Sequence, residues 1–394
     1  MTSSAFDDTP TGSDQLKERD ASADEVLGVE RPTAQIELLW DLLFAFAVTR
    51  VTTLLGAHLT WAGFGRSMLV LALVWWAWAA FAWVANAHDP DAASFQLTFL
   101  LAGVLTFIVG VALPRAFGAD ARLFAFAYAG VRFLHLALYA DASQHGHASA
   151  RSITGFAVTT AIGLAILVIG SFTAGTARVA LWTSAAAIDY AGPAWLTRER
   201  LKSLQQVAVA HFAERYGMFI IICLGESIVA IGTPVSAHVT PGSVAALTVA
   251  LLITIGLWST YFDRAAEEGA EGLRSSTNPV LAAADGYSYL HLVLVAGILI
   301  FAVGAHVTVA HVRDPLPSAT RLALCGGVAA YLLGHTAFRL RVSGTIRWSE
   351  PTVAAVALAL FAVSKALPAW AVSILLLAQL VALVTWERRG RADR

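Results

Sequence analysis

His211, Glu214, Arg215 and Glu226 all lie within one stretch, His211–Gly232 (HFAERYGMFIIICLGESIVAIG), that is otherwise apolar enough to cross a bilayer. A charge at the bilayer centre costs roughly 2.5–3.5 kcal/mol on insertion scales. Such groups must pair, or face protein or water, and the chemistry open to them is ion pairing, cation binding or proton exchange. At about 100° per residue of helix, the four share an arc of roughly 120°. Gly225 and Gly232 lie beside that arc, and Met218, Ile222 and Val229 lie opposite.

A second set sits in an earlier apolar run. Glu37 and Asp41 are four apart and stack on one helix face, and Arg50 stands near the far end of the same run. The expected arrangement is two polar layers between these helices. The inner one joins Glu37 and Asp41 to Arg215 and His211, and the outer one joins Arg50 to Glu226. At 1.5 Å per residue the layers stand about 16 Å apart. Breaking a buried pair is costly whatever its purpose, so Arg215 is read as a structural partner. Glu226 is different, being flanked by Gly225 and Ser227 with no opposite charge nearby in its own helix. It is the candidate for proton or cation exchange, with neutralisation by Arg50 as the alternative.

Asp189 and Arg132 fall at similar depth on helices that run the same way, and are expected to pair in a structural role. His135 and His335, each one turn from an arginine, read as neutral core histidines. Arg339, at a helix end, reads as snorkelling to the surface. The tryptophans of Trp75-Trp76-Ala-Trp78…Trp83 read as lipid-facing or packing surface. Cys223 and Cys325 read as small packing residues rather than a disulfide.

The elements that carry these residues follow from composition. The chain has 394 residues, 57% hydrophobic and only 13% charged, with mean hydropathy +0.67; about a quarter of a soluble domain would be charged. This is the signature of an all-α polytopic membrane protein, and a net charge of −1 points away from nucleic acid. Residues 1–32 are polar and acidic and read as a disordered cytoplasmic tail with no cleaved signal. Apolar runs then recur at 36–56, 67–87, 93–113, 122–141, 152–172, 177–195, 207–232, 243–262, 287–309, 320–339, 352–366 and 368–387. Most approach the roughly 20 residues a bilayer demands. About twelve spans are expected, or eleven if 352–387 is one kinked helix. Lys and Arg concentrate in the loops on the side of the N-terminus, apart from Arg50, Arg132 and Arg215 within spans. Both termini are therefore expected in the cytoplasm.

A faint repeat divides a single transmembrane domain, 33–390, into halves of about 33–196 and 207–390. Glu37 and Glu214 each open a helix with a second polar group, Arg50 or Glu226, further along. The next helices carry Trp78-Ala-Ala-Phe81 and Trp258-Ser-Thr-Tyr261, the third carry Gly103/Gly110 and Gly297/Gly304, and the fourth Arg132/His135 and His335/Arg339. Six helices per half would make the halves parallel.

Ile36-Glu-Leu-Leu-Trp-Asp-Leu-Leu-Phe-Ala-Phe-Ala-Val-Thr49 resembles the opening motif of the bacterial low temperature requirement A (LtrA) family. His211-Phe-Ala-Glu-Arg-Tyr-Gly-Met-Phe-Ile-Ile-Ile-Cys-Leu-Gly-Glu-Ser227 resembles its most recognisable segment, and Asp189-Tyr-Ala-Gly-Pro193 sits where the family has an Asp followed closely by Pro. The resemblance covers roughly residues 31–387 and implies a multi-helix bacterial inner-membrane protein linked to growth in the cold. Where the first motif usually continues Thr-Gln, this chain has Thr49-Arg50, so any role of Arg50 would be particular to it.

No HExxH, GxSxG, Asp-rich diphosphate motif or phosphate loop occurs. No catalytic, cofactor-binding or metal residue is assigned, and no enzyme is expected. A proton- or ion-coupled carrier of a small solute fits the buried acids. A channel, or a non-catalytic protein acting on lipid order or on a partner, stays open.

Overall fold

A computed structural model describes residues 33–233 and 239–392; the tail expected to be disordered, 1–32, lies outside them. The described residues form helices and no strands. In chain order they are α1 (Gln35–Ala57), α2 (Trp61–Ala85), α3 (Ala93–Arg115), α4 (Ala121–Gln144), α5 (Ala150–Ser171), α6 (Gly175–Ala191), α7 (Val209–Gly232), α8 (Pro241–Arg274), α9 (Pro279–Ala310), α10 (Ser318–Ser343), α11 (Ser349–Val363) and α12 (Ala369–Ala392). Among the described residues, nine helices are long and apolar enough to cross a membrane: all but α6, α10 and α11. α6 and α11 are short, at 17 and 15 residues. α10 is long but carries Arg321, His335, Arg339 and Arg341. α11 and α12 are two helices, separated at Ser364–Pro368, rather than one kinked helix.

Local signals explain the ends. Thr60 accepts the Gly63 amide at the start of α2, Asn278 accepts the Leu281 amide ahead of Pro279, and Thr240 and Ser243 cap α8 reciprocally. Gly344 ends α10 at φ +67°, a conformation that glycine adopts without penalty. Pro193 lacks the N–H that would bond the Asp189 carbonyl, and just there the helix widens into a π-turn at Gly192–Leu196. Similar π-turns interrupt α8 at Tyr261–Ala265 and α9 at Ala284–Leu290.

Packing is organised around α1, α7 and α9. α1 packs on α2, α3, α7 and α9, and α7 packs on α1, α8 and α9. α9 and α10 meet most extensively, because Gly297, Gly304 and Gly327 let their backbones touch. Gly103 and Gly110 meet α1 side chains instead, so the two glycine pairs singled out in the sequence serve different neighbours. One end of the bundle carries an ion network. Asp285 joins Arg198 on the connector before α7 to Arg341 at the end of α10, and Arg388 pairs with Asp263.

Candidate functional site

Glu37, Asp41, His211 and Arg215 meet at the α1–α7 contact, all 1% exposed or less. Arg215 Nη2 donates to Asp41 Oδ1 at 2.8 Å, its Nη1 lies 3.4 Å from Glu37 Oε1, and His211 Nε2 lies 2.9 Å from Glu37 Oε2. Glu37 also accepts the Ala34 amide, so it caps its own helix. Trp78 of α2 donates its indole N–H to Asp41 Oδ1 at 2.7 Å, and its ring lies beneath the Arg215 guanidinium. Two carboxylates face one guanidinium and one imidazole, so each buried acid has a nitrogen partner. The inner layer expected from the sequence is present as geometry.

Glu214 is not part of it. It is exposed, because burying Arg215 against the α1 carboxylates turns the preceding residue about 100° away. The outer layer also differs from expectation. Glu226, half-buried, accepts the hydroxyl of Thr49 at 2.5 Å, not the guanidinium of Arg50. Thr49 faces α7, so Arg50, one residue on, is rotated off that face and lies over the Phe46 ring. Among the described residues Arg50 has no carboxylate partner.

Arg132 of α4 and Asp189 of α6 pair as expected, Nη2 lying 3.1 Å from both carboxylate oxygens. Thr160 of α5 donates to Asp189 at 2.6 Å and accepts from Arg132 at 3.1 Å. This pair borders a small cavity of about 60 Å³ whose wall also includes His135, Tyr139, Trp83 and Ser288. Arg132 is 2% exposed and His135 3%. Among the described residues, neither Nε nor Nη1 of Arg132, nor Nδ1 of His135, has a hydrogen-bond partner. Leu201 and Leu204 of the connector also line it. Glu226 is not on the wall.

Several residues of this interior carried no decisive sequence signal. Of the two readings of the tryptophan run, the packing one holds: it is buried, and Trp75 and Trp83 donate to the carbonyl and hydroxyl of Ser288, which the π-turn of α9 presents inward. His291 lies between Tyr261, whose hydroxyl is 2.8 Å from Nε2, and the Gly286 carbonyl. Arg339 does not snorkel. It is 3% exposed and pairs with Glu350 at 3.1 Å and Glu268 at 2.6 Å, while His335 Nδ1 lies 3.0 Å from Glu350. Glu350 falls just outside an apolar run, where an acid reads as a loop residue; its place in the first turn of α11 was the available clue. Cys223 and Cys325 are buried free thiols. Among the described residues no three His, Cys, Asp or Glu side chains gather as a metal site.

Comparison with known proteins adds a family but no activity. A family model described as "Bacterial low temperature requirement A protein (LtrA)" matches residues 33–385. An uncharacterized protein of Rhizobium meliloti (strain 1021) is 28% identical over 318 residues, covering 79% of this chain and 77% of that protein. No solved structure matches.

Proposed function

Because the chain belongs to the bacterial low temperature requirement A (LtrA) family, a multi-pass membrane protein family, we propose that it is a proton- or ion-coupled carrier of a small solute in the bacterial inner membrane. It acts without cofactor and catalyses no covalent reaction. The observation that carries this reading is Glu226, a half-buried carboxyl in an apolar helix, held by the neutral Thr49 hydroxyl and, among the described residues, by no cation. A carboxyl in such a setting exchanges a proton or a cation more readily than one locked in an ion pair.

In this reading all of α1 to α12 cross the bilayer, in two parallel six-helix halves with both termini in the cytoplasm. The recurrence of packing partners supports the halves. α1 packs on α2 and α3, α3 on α4, α4 on α5, α5 on α6 and α2 on α6; α7 packs on α8 and α9, α9 on α10, α10 on α11, α11 on α12 and α8 on α12. The arginines at the end bearing Arg198, Arg341 and Arg388 support a cytoplasmic face there. The inner layer then clamps one half to the other, while Glu226 and the cavity remain for the solute and its coupling ion.

Flux in proteoliposomes, followed with pH-sensitive and potential-sensitive dyes, tests the carrier. Wild type is expected to couple solute movement to a proton or ion gradient, and Glu226→Gln to lose that coupling. Unchanged coupled flux in the variant removes the mechanism. One observation favours a second reading, a non-catalytic membrane protein acting through lipid or a partner: the cavity does not reach Glu226. Absence of coupled flux from a folded wild-type protein would select it.

A further inference from the structure

Arg341 ties the last turn of α10 into the Asp285 network; the first turn of α10 lies at the opposite end of the bundle, beside the turn between α1 and α2. Two hollows open there, and Thr60 is in the wall of both. The larger is an apolar groove of about 760 Å³, within the size range of ligand sites. Its floor is one face of α10, where Ala319, Leu322, Gly326, Ala330 and Leu333 recur at intervals of three and four. Gly326 has only Leu322 of its own helix near its Cβ position, which leaves that face open. Leu59 and Phe64 come in from the α1–α2 corner, and Leu358 and Phe361 from α11. From Ala319 to Leu333 the floor runs about 21 Å along the helix, more than half of a hydrocarbon layer about 30 Å thick. The hydroxyls of the groove, on Thr60 and Ser318, both stand at helix starts, where Trp61 is 78% exposed. The groove is therefore polar at its rim and apolar along its depth.

The second hollow, of about 450 Å³, is lined by His58, Arg66 and Arg115 and by no acid. Arg115 is held by Asp120 at 2.7 Å. Arg66 is exposed, lies over the Phe117 ring and, among the described residues, meets no carboxylate. One guanidinium charge is thus left over at the level of the helix ends. A long apolar groove with a polar rim fits an amphiphile, and the adjoining cation fits a negative headgroup. We propose that this end of the bundle binds one anionic glycerophospholipid. An acyl chain lies along the α10 groove, and the headgroup sits over Thr60 with its phosphate drawn to Arg66. With both termini in the cytoplasm, the lipid belongs to the outer leaflet. Trp61 then stands among the headgroups, where tryptophan is favoured.

Native mass spectrometry of the full-length protein, in detergent with added dioleoyl phosphatidylglycerol or dioleoyl phosphatidylcholine, provides the test. Wild type is expected to retain one phosphatidylglycerol and to hold it about fivefold more tightly than phosphatidylcholine, the effect of one arginine near a headgroup. Gly326→Leu and Ala330→Leu fill the floor of the groove without touching a charged group. Each is expected to abolish retention of both lipids; if one misfolds, the other serves. Arg66→Gln is expected to keep phosphatidylcholine binding and to lose the preference. No retained lipid in wild type, undiminished retention in a folded groove-filled variant, or an intact preference in Arg66→Gln overturns the proposal. A wild-type dimer that the groove-filling variants dissociate assigns the groove to a second copy of the chain and also overturns it. The site does not rest on the carrier reading. Lipid retention with flux indifferent to Glu226→Gln keeps this site and removes the carrier mechanism; the reverse keeps the carrier and removes the site.

Discussion

Thr49 donates its hydroxyl to Glu226 at 2.5 Å, while Arg50, the next residue, lies over Phe46 on another face of the same helix. The carboxyl of α7 is thus tied to α1 by a neutral donor, and the one cation within a residue of it is turned away. A group held in this way can change charge without breaking an ion pair.

Thr49→Val removes that donor and leaves a half-buried acceptor unsatisfied, for an expected loss of about 1–3 kcal/mol, toward the lower end because Glu226 retains some exposure. Arg50→Gln removes a charge that has no carboxylate partner among the described residues and is expected within about 0.5 kcal/mol of wild type. Thermal unfolding in detergent compares the two. Equal losses would mean that Arg50 does support Glu226.

Arg215→Met strands Glu37 and Asp41 without their guanidinium. The expected loss is about 3–5 kcal/mol. Adding Glu37→Gln and Asp41→Asn to the same chain should recover most of it, because a neutral, hydrogen-bonded cluster no longer buries uncompensated charge. A triple variant no more stable than Arg215→Met, measured by the midpoint of unfolding, would show that stranded charge is not the cause.

Glu350 and Glu271 are both acids on helices outside the apolar runs, yet they differ in place. Glu350 is buried between Arg339 and His335, whereas Glu271 is exposed, 3.6 Å from Arg274. Glu350→Ala is expected to cost about 3–5 kcal/mol, and Glu271→Ala about 0–1 kcal/mol. Yield of folded protein and Tm distinguish these outcomes.

Gly304 sits where a Cβ would drive into the backbone of α10 at Leu324. Gly304→Val must push two helices apart and is expected to lose at least about 1–3 kcal/mol. Gly225, one residue before Glu226, has open space around its Cβ position. Gly225→Ala should leave the protein unchanged or more stable by up to about 1 kcal/mol, through helix propensity alone. The melting temperatures of the two variants test the contrast.

Much of this architecture was legible in the residues themselves. Long apolar runs with capped ends make helices wherever they pack, because an unpaired backbone in an apolar setting is too costly to persist. Charges inside those runs must find one another, so Glu37 and Asp41 could be matched to Arg215 and His211, and Arg132 to Asp189, from type and depth alone. The motif around Asp189 and the segment from His211 to Ser227 carried the family.

Azimuth and neighbours were decided only in three dimensions. Arg215 points inward and Glu214 outward because two carboxylates, not two cations, stand across the contact. Thr49 rather than Arg50 meets Glu226 because one residue of helix turns a side chain by about 100°. The tryptophans of α2 read equally as lipid-facing or as packing surface, and the choice falls to packing because Ser288, brought in by the π-turn of α9, and Asp41 give Trp75, Trp78 and Trp83 buried acceptors. Hydropathy sums the cost of a segment along its axis and is blind to rotation about it, so the pairing of Arg339 with Glu350, and the empty space beside Arg132, exist only once the helices are packed.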